Sequence, residues 1–206
     1  MPDYTSLDIN TSDYVYMPSE DTELAAGLLN EYLASSDSRD ISVLDMGTGT
    51  GAIGITAAMN DKVSTVVLAD KDGNALALAK KNVLSNIHKL RAKCDFVATD
   101  LFSGIDKSKK FDMITFNPPY LPAYGEKSPL EGTWNGGRTG TEVTTAFLED
   151  AVKYLTDKGA VLIVMSSFAD EKIIHAHAGR LGLVECMRKT RHIFFEDIDA
   201  VVFAKE

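Results

Sequence analysis

Cysteine, histidine and tryptophan are scarce in this chain, with two, four and one among 206 residues. Cys94 and Cys186 form no metal-ligand spacing, and each sits in an apolar, strand-like run, so both are expected as reduced core residues. His175 and His177 are two positions apart, which on a helix turns them to different faces. They are expected at the surface and not as ligands. Long hydrophobic runs are also missing. The longest aliphatic stretches, such as Ala160–Met165, are far too short to span a bilayer. Met-Pro-Asp-Tyr-Thr at the start has neither the basic flank nor the apolar core of a signal segment. A soluble cytoplasmic protein is the expectation. Positive charge is in deficit too: Lys+Arg 21 against Asp+Glu 30 gives a net charge of −9. That weighs against tight sequence-independent binding to nucleic acid, where phosphates must meet cations, and suits a basic protein partner.

What is present fits one globular domain. The chain is 45% hydrophobic and 25% charged, and long enough for one substantial α/β core. No repeat, linker or second domain is visible, so residues 1–206 are expected as one domain, with 1–35 an extension and helix packed on it. Ser19 is a candidate N-cap, and Glu20 and Asp21 load the first turn with negative charge. Leu24, Leu28, Leu29, Tyr32 and Leu33 then form one apolar stripe. Strand-like runs follow near Ser42–Asp45, Ser64–Asp70, Cys94–Thr99, Phe111–Phe116, Ala160–Ser166, Leu183–Arg188 and Asp199–Ala204. Helical patterns at Gly51–Met59, Gly73–Ser85, Thr141–Leu155 and Asp170–Leu181 separate most of them. The runs before Asp45, Asp70 and Phe116 are apolar on both faces, as buried parallel strands are. The pattern predicts an α/β fold: an open, mostly parallel seven-stranded sheet, doubly wound by helices. No helix fits between the last two runs, so they are expected to pair as an antiparallel hairpin at one edge.

Two motifs carry chemistry. In the first, strand Ile41–Leu44 leads into Asp45-Met-Gly47-Thr48-Gly49-Thr-Gly51 and then a helix. Glycines let a backbone approach a ligand closely, and the helix N-terminus behind them is electropositive. Asp70 closes the next strand, where a carboxylate can accept both hydroxyls of a ribose. A nucleoside-containing cofactor is therefore expected across these strand tips. Gly49-Thr-Gly51-Ala-Ile-Gly54 also satisfies the dinucleotide pattern, which keeps NAD in contention. The anionic Asp45 at the strand end favours instead the cationic aminoacyl part of S-adenosylmethionine. Asp100 could accept from an adenine amine, with Leu101 backing the ring.

The second motif is Asn117-Pro118-Pro119-Tyr120, directly after the apolar strand Phe111–Phe116. The prolines fix their own φ and remove two N–H donors. The corner thus presents acceptors without competing donors, suited to gripping an –NH2 group, and Tyr120 offers a flat face to a planar group.

Asp-x-Gly-x-Gly-x-Gly, Asp70, Asp100 and Asn-Pro-Pro-Tyr, in that order, resemble the class I S-adenosylmethionine-dependent methyltransferases that methylate amino groups. Val15-Tyr-Met-Pro-Ser-Glu-Asp-Thr22 and Trp134-Asn-Gly-Gly-Arg138-Thr-Gly140 are similar to segments of the archaeal and eukaryotic HemK-related glutamine methyltransferases. The resemblance covers residues 15–155. It implies methylation of the glutamine amide in the Gly-Gly-Gln motif of a class 1 translation release factor. It also implies cofactor contacts from Thr22, Asp45, Gly47, Thr48, Gly49, Gly51, Asp70, Asp100, Leu101 and Asn117. Asn117, Pro118, Pro119 and Tyr120 would hold the substrate amide. Close relatives bind a small zinc-binding activator protein; this chain shows no zinc ligands of its own. The separate N-terminal helical domain of the bacterial branch is not expected here.

Other functions meet the same residues differently. An Asn-Pro-Pro-Tyr corner can grip the exocyclic amine of adenine in DNA or RNA, or orient a lysine amine, although no general base stands out for the latter. An NAD-dependent oxidoreductase and a non-catalytic binding module are further alternatives. The loop Leu121–Thr139, with Trp134 and Arg138, is long enough to suggest a wall of the substrate groove.

Overall fold

The computed structural model describes residues 4–119, 140–193 and 195–206. The parallel strands are built from residues that bury alternately on two faces. In β1 (Ile41–Met46), Val43 enters one apolar cluster and Leu44 the other. The same alternation runs through β4 (Phe111–Phe116), where Met113 and Ile114 divide between the clusters, and β5 (Leu155–Ser166), where Leu162 and Ile163 do. Helices cover both faces. The expected stripe on α1 (Glu20–Ser35) packs into the first cluster through Leu24, Leu28, Leu29 and Leu33, with Tyr32 at its margin. Residues of α2 (Ala52–Ala58) and α3 (Gly73–Ser85) join them. On the opposite face Phe147, Leu148 and Ala151 of α4 (Glu142–Tyr154) and Ile174 and Ala178 of α5 (Glu171–Arg180) close the second cluster.

With β2 (Val63–Asp70), β3 (Lys93–Ala98), β6 (Leu183–Ile193) and β7 (Glu196–Lys205), the sheet has seven strands in the order β3-β2-β1-β4-β5-β7-β6. Strands β1 to β5 pair in parallel, while β7 runs antiparallel to both β5 and β6. The expected hairpin is therefore present, with β7 inserted between β5 and the edge strand β6. Strand order reverses between β1 and β4, which is where open α/β sheets bind ligands beyond the carboxyl ends of their strands.

Three local expectations need correction. β5 starts at Leu155, directly after α4, not near Ala160. The register against β4 is irregular between Phe111 and Met113, and a Cβ on Gly159 would lie 2.9 Å from the Phe111 carbonyl oxygen. Glycine admits the close backbone approach that lets the strand begin early. The cysteines are free, but neither lies in the core: Cys94 is half-buried and Cys186 exposed. They sit on β3 and β6, the two edges of the sheet, where one side of each strand lacks a neighbour. The histidines are more than surface residues. The imidazole of His175 lies 2.6 Å from the Glu185 carboxylate, and that of His177 lies 3.2 Å from Glu149.

Asn82 of α3 and Asn86, the C-cap of that helix, tether the N-terminal segment. Asn82 accepts from the Asn10 backbone N–H and donates to the Asn10 carbonyl, and Asn86 does the same for Asp8. These side-chain amides take the part of a neighbouring strand. Asn82 also donates to the Thr50 carbonyl, linking the segment to the glycine loop. No helix among the described residues is long and apolar enough to cross a membrane.

Candidate active site

A cavity of about 720 Å³ opens over the carboxyl ends of β1, β2 and β4. Every predicted site residue among the described ones lies on its wall except Gly51, which forms the base of the glycine loop as the N-cap of α2. Tyr120 lies outside the described residues, as do the 121–139 loop, Trp134 and Arg138.

The glycine loop takes its shape from backbone that other residues resist. Gly47 has φ +62°, and a Cβ there would lie 3.1 Å from the Phe116 ring. Gly51 has φ +86°, and its Cβ would meet Ala79 and Leu68 at 3.2–3.3 Å. A side chain would thus impose left-handed strain and a contact tight enough to displace its neighbour slightly. Asp45 organises this loop from inside. Its carboxylate, 1% exposed, accepts from the Thr48 hydroxyl at 2.5 Å, the Gly54 N–H at 3.0 Å and the Thr115 hydroxyl at 2.7 Å. Burial pushes its pKa up to about 6, although all three hydrogen bonds pull it down. Asp45, expected to pair with a cationic ligand, here makes structural hydrogen bonds within the protein. Thr115 was not singled out in the sequence, although a lone hydroxyl between the buried Ile114 and Phe116 was a signal for it.

Asp70 bridges the loop and the next helix. One oxygen accepts from the Gly49 N–H and the other from the Asp72 N–H, each at 2.9 Å. Each carboxylate oxygen has a second lone pair, so acceptor capacity remains for a ribose. At the tip of β3, Asp100 is exposed and Leu101 half-buried. Leu101 has φ +45°, a left-handed conformation costing a side-chain-bearing residue about 1–2 kcal/mol. Thr99 secures it: its hydroxyl donates to the Leu101 carbonyl at 2.8 Å and accepts from the Gly104 N–H at 2.7 Å.

The corner after β4 shows the most specific arrangement. Asn117 donates through Nδ2 to a carboxylate oxygen of Asp21 at 2.9 Å. Its Oδ1 is shielded from solvent and meets no donor among the described residues. A buried acceptor without a partner costs about 1–3 kcal/mol, so it marks a place where a donor is awaited. Pro118 is buried and Pro119 half-buried. Asp21 was not singled out in the sequence as a partner of this corner. It reads as one of several acids in the first turn of α1, yet it is 3% exposed. Ser19 holds the N-cap position as expected, but its hydroxyl does not cap the helix; it donates to Asp21 at 2.8 Å and pairs with the Tyr16 hydroxyl at 2.7 Å. Thr22, also buried, donates to Asp21 through its N–H and its hydroxyl. Among the described residues no group of acids, histidines or cysteines could hold a metal ion.

Comparison with known proteins shows what the chain is similar to. The family profile described as "Methyltransferase small domain" matches residues 15–193. A Methanocaldococcus jannaschii protein, provisionally named a protein N5-glutamine methyltransferase, is 36% identical over 162 residues, covering 77% of this chain and 75% of that protein. A Rhodopirellula baltica protein named release factor glutamine methyltransferase is 32% identical over 174 residues; the match spans 80% of this chain but only 58% of the relative. Among solved structures, the Mtq2-Trm112 complex of E. cuniculi, described as responsible for methylation of the eRF1 termination factor, superposes with a TM-score of 0.66 at 24% identity, covering 94% of this chain and 99% of that one. A ribosomal protein L11 methylase from Lactobacillus delbrueckii shares the fold with a TM-score of 0.68 at 18% identity, covering 93% of this chain and 82% of that one.

Proposed function

Because the chain belongs to the methyltransferase small-domain family, we propose that it methylates a glutamine side-chain amide in the Gly-Gly-Gln motif of a class 1 translation release factor, using S-adenosylmethionine. Names of relatives support the reaction: both sequence relatives carry glutamine methyltransferase names. The observation that carries it is the buried, unpartnered Oδ1 of Asn117, a residue that lines the cavity. A primary amide is a hydrogen-bond donor seeking such an acceptor.

The residues fit the cofactor. Asp70 retains acceptor capacity for ribose hydroxyls, Asp100 and Leu101 flank a place for adenine, and Thr22 and the backbone of Gly47, Thr48 and Gly49 line the remainder. When bound, S-adenosylmethionine supplies a methyl group on a sulfonium that leaves as a neutral thioether. The amide nitrogen is a poor nucleophile because its lone pair is delocalised into the carbonyl. Asn117 Oδ1 and the Pro118 carbonyl each accept one N–H, which orients that lone pair and stabilises positive charge as it develops on nitrogen. Holding the reacting groups in line contributes further, up to about 7–11 kcal/mol in the best intramolecular cases. As the new N–C bond forms, the nitrogen sheds one of its two protons to solvent, so no side-chain base is assigned. A small zinc-binding activator subunit, seated on the methyltransferase as Trm112 sits with Mtq2, belongs to the same reading.

Mass spectrometry of a release factor incubated with this protein and S-adenosylmethionine, with and without an activator subunit, tests the proposal. The Gly-Gly-Gln peptide is expected to gain one methyl on glutamine. Asn117→Ala should lower turnover on the order of 100- to 1,000-fold, as for loss of one pre-organised hydrogen-bonding group, while affinity for S-adenosylhomocysteine changes far less. Methylation of adenine in DNA or RNA, with the release factor left unmodified, overturns the substrate assignment.

A further inference from the structure

Asn117 has two chemically opposite ends, and something must decide which one meets the substrate. An amide turned one way offers an acceptor; turned by half a rotation, it offers donors to the same point in space. In an open site the two orientations would interchange, and half the molecules would present the wrong group.

The buried carboxylate of Asp21 removes the ambiguity. When ionised it only accepts, so the –NH2 of Asn117 must face it and Oδ1 must face away. Asp21 is itself held in place. One of its oxygens accepts from Ser19, the Thr22 N–H and the Thr22 hydroxyl, and the other from the Tyr16 hydroxyl at 3.1 Å as well as from Asn117. Those donors lie on the N-terminal segment and the start of α1, while Asn117 lies far along the chain at the tip of β4. The carboxylate has a second effect. A charged acceptor at the amide nitrogen polarises the whole amide and adds negative charge to its oxygen.

We propose that Asp21 is a positioning and specificity residue: it locks the Asn117 amide with its oxygen turned away from the carboxylate, so that the site accepts a substrate –NH2 and rejects a carboxylate. The inference rests on the methyl-transfer reading above. It adds a reason for discrimination between glutamine and its deamidated form. A glutamate side chain would bring oxygen against oxygen, with no donor between them.

Asp21→Asn tests this with little change in shape. The new amide can donate to Asn117 Oδ1, so the locked orientation loses its advantage. The kcat for the release factor is expected to fall about 10- to 100-fold, the scale of a misplaced catalytic contact, with S-adenosylhomocysteine affinity and thermal midpoint little changed. A peptide carrying Gly-Gly-Glu, inert against the wild type, should become a competitive inhibitor of the variant. The double variant Asp21→Asn/Asn117→Ala should be no slower than Asn117→Ala alone, because Asp21 acts through Asn117. Wild-type kcat in Asp21→Asn, together with continued rejection of the glutamate peptide, overturns the proposal. Should the variant fold poorly, side-chain NMR of the 15N-labelled wild type decides. One Asn117 Nδ2 proton is expected downfield and slow to exchange, and a shift and exchange rate typical of a free amide overturn the lock. If the wild type itself leaves the release factor unmodified, the methyl-transfer reading fails, and the NMR result still judges the lock independently.

Discussion

At the residue scale, Asp45 shows how a buried carboxylate can organise a loop from inside. Its three internal donors hold Thr48, Gly54 and Thr115 together, yet burial still lifts its pKa to about 6. The folded value lies above the ordinary 3.8. The contribution of this group is therefore most favourable below about pH 3.8 and declines as pH rises through about 6. Thermal unfolding of wild type and Asp45→Asn from pH 4 to 7 should show the wild type losing ground to the variant as pH rises, with the difference levelling off above pH 6.5. A difference independent of pH would mean that Asp45 titrates in its ordinary range. Leu101 shows the opposite economy, in which a strained backbone at the cavity wall is secured by one hydroxyl, that of Thr99.

At the element scale, the end of the sheet beyond β5 is fastened by charge as well as by apolar contacts. Arg188 on β6 reaches Glu171 on α5, Glu185 on its own strand and Asp199 on β7, all at 2.9–3.0 Å. His175 of α5 meets Glu185, and Thr190 donates to Asp199 across the hairpin. Hydrogen bonding from Arg188, with His175 as a lesser partner, holds the Glu185 carboxyl at about 2, well below its ordinary 4.5. A depressed acid stabilises above its unfolded value and loses that contribution as pH falls toward the folded one. Arg188→Met should therefore cost about 1–2 kcal/mol in urea unfolding at pH 7, between the values for exposed pairs and for charged hydrogen bonds. The deficit should shrink as pH falls from 4.5 toward 2. A deficit unchanged across that range would place the loss in packing.

At the scale of the whole molecule, the reversal of strand order between β1 and β4 brings together a glycine loop, two strand-tip acids and a proline corner that are distant in sequence. A ligand that binds only this folded arrangement raises its stability, by about 2.7 kcal/mol at a hundredfold excess over Kd. S-adenosylhomocysteine should therefore raise the unfolding temperature, and NAD should not. Stabilisation by NAD alone would return the glycine loop to dinucleotide chemistry.

The order of elements, the doubly wound sheet and the positions of the two motifs were legible in sequence. They depend on local rules: apolar periodicity, glycine after a strand, and proline at a corner. The early start of β5 was not legible, because it depends on Gly159 meeting a backbone oxygen of another strand. The exposure of the cysteines was not legible either, because only strand order makes β3 and β6 edges. The pairing of Asp21 with Asn117 was decided wholly by tertiary structure. The neighbours of Asp21 in the chain describe a helix start, and only the fold carries β4 alongside to put Asn117 within 2.9 Å. Sequence patterns encode which faces are buried, whereas the partner of a buried polar group depends on which distant segment the fold delivers to it.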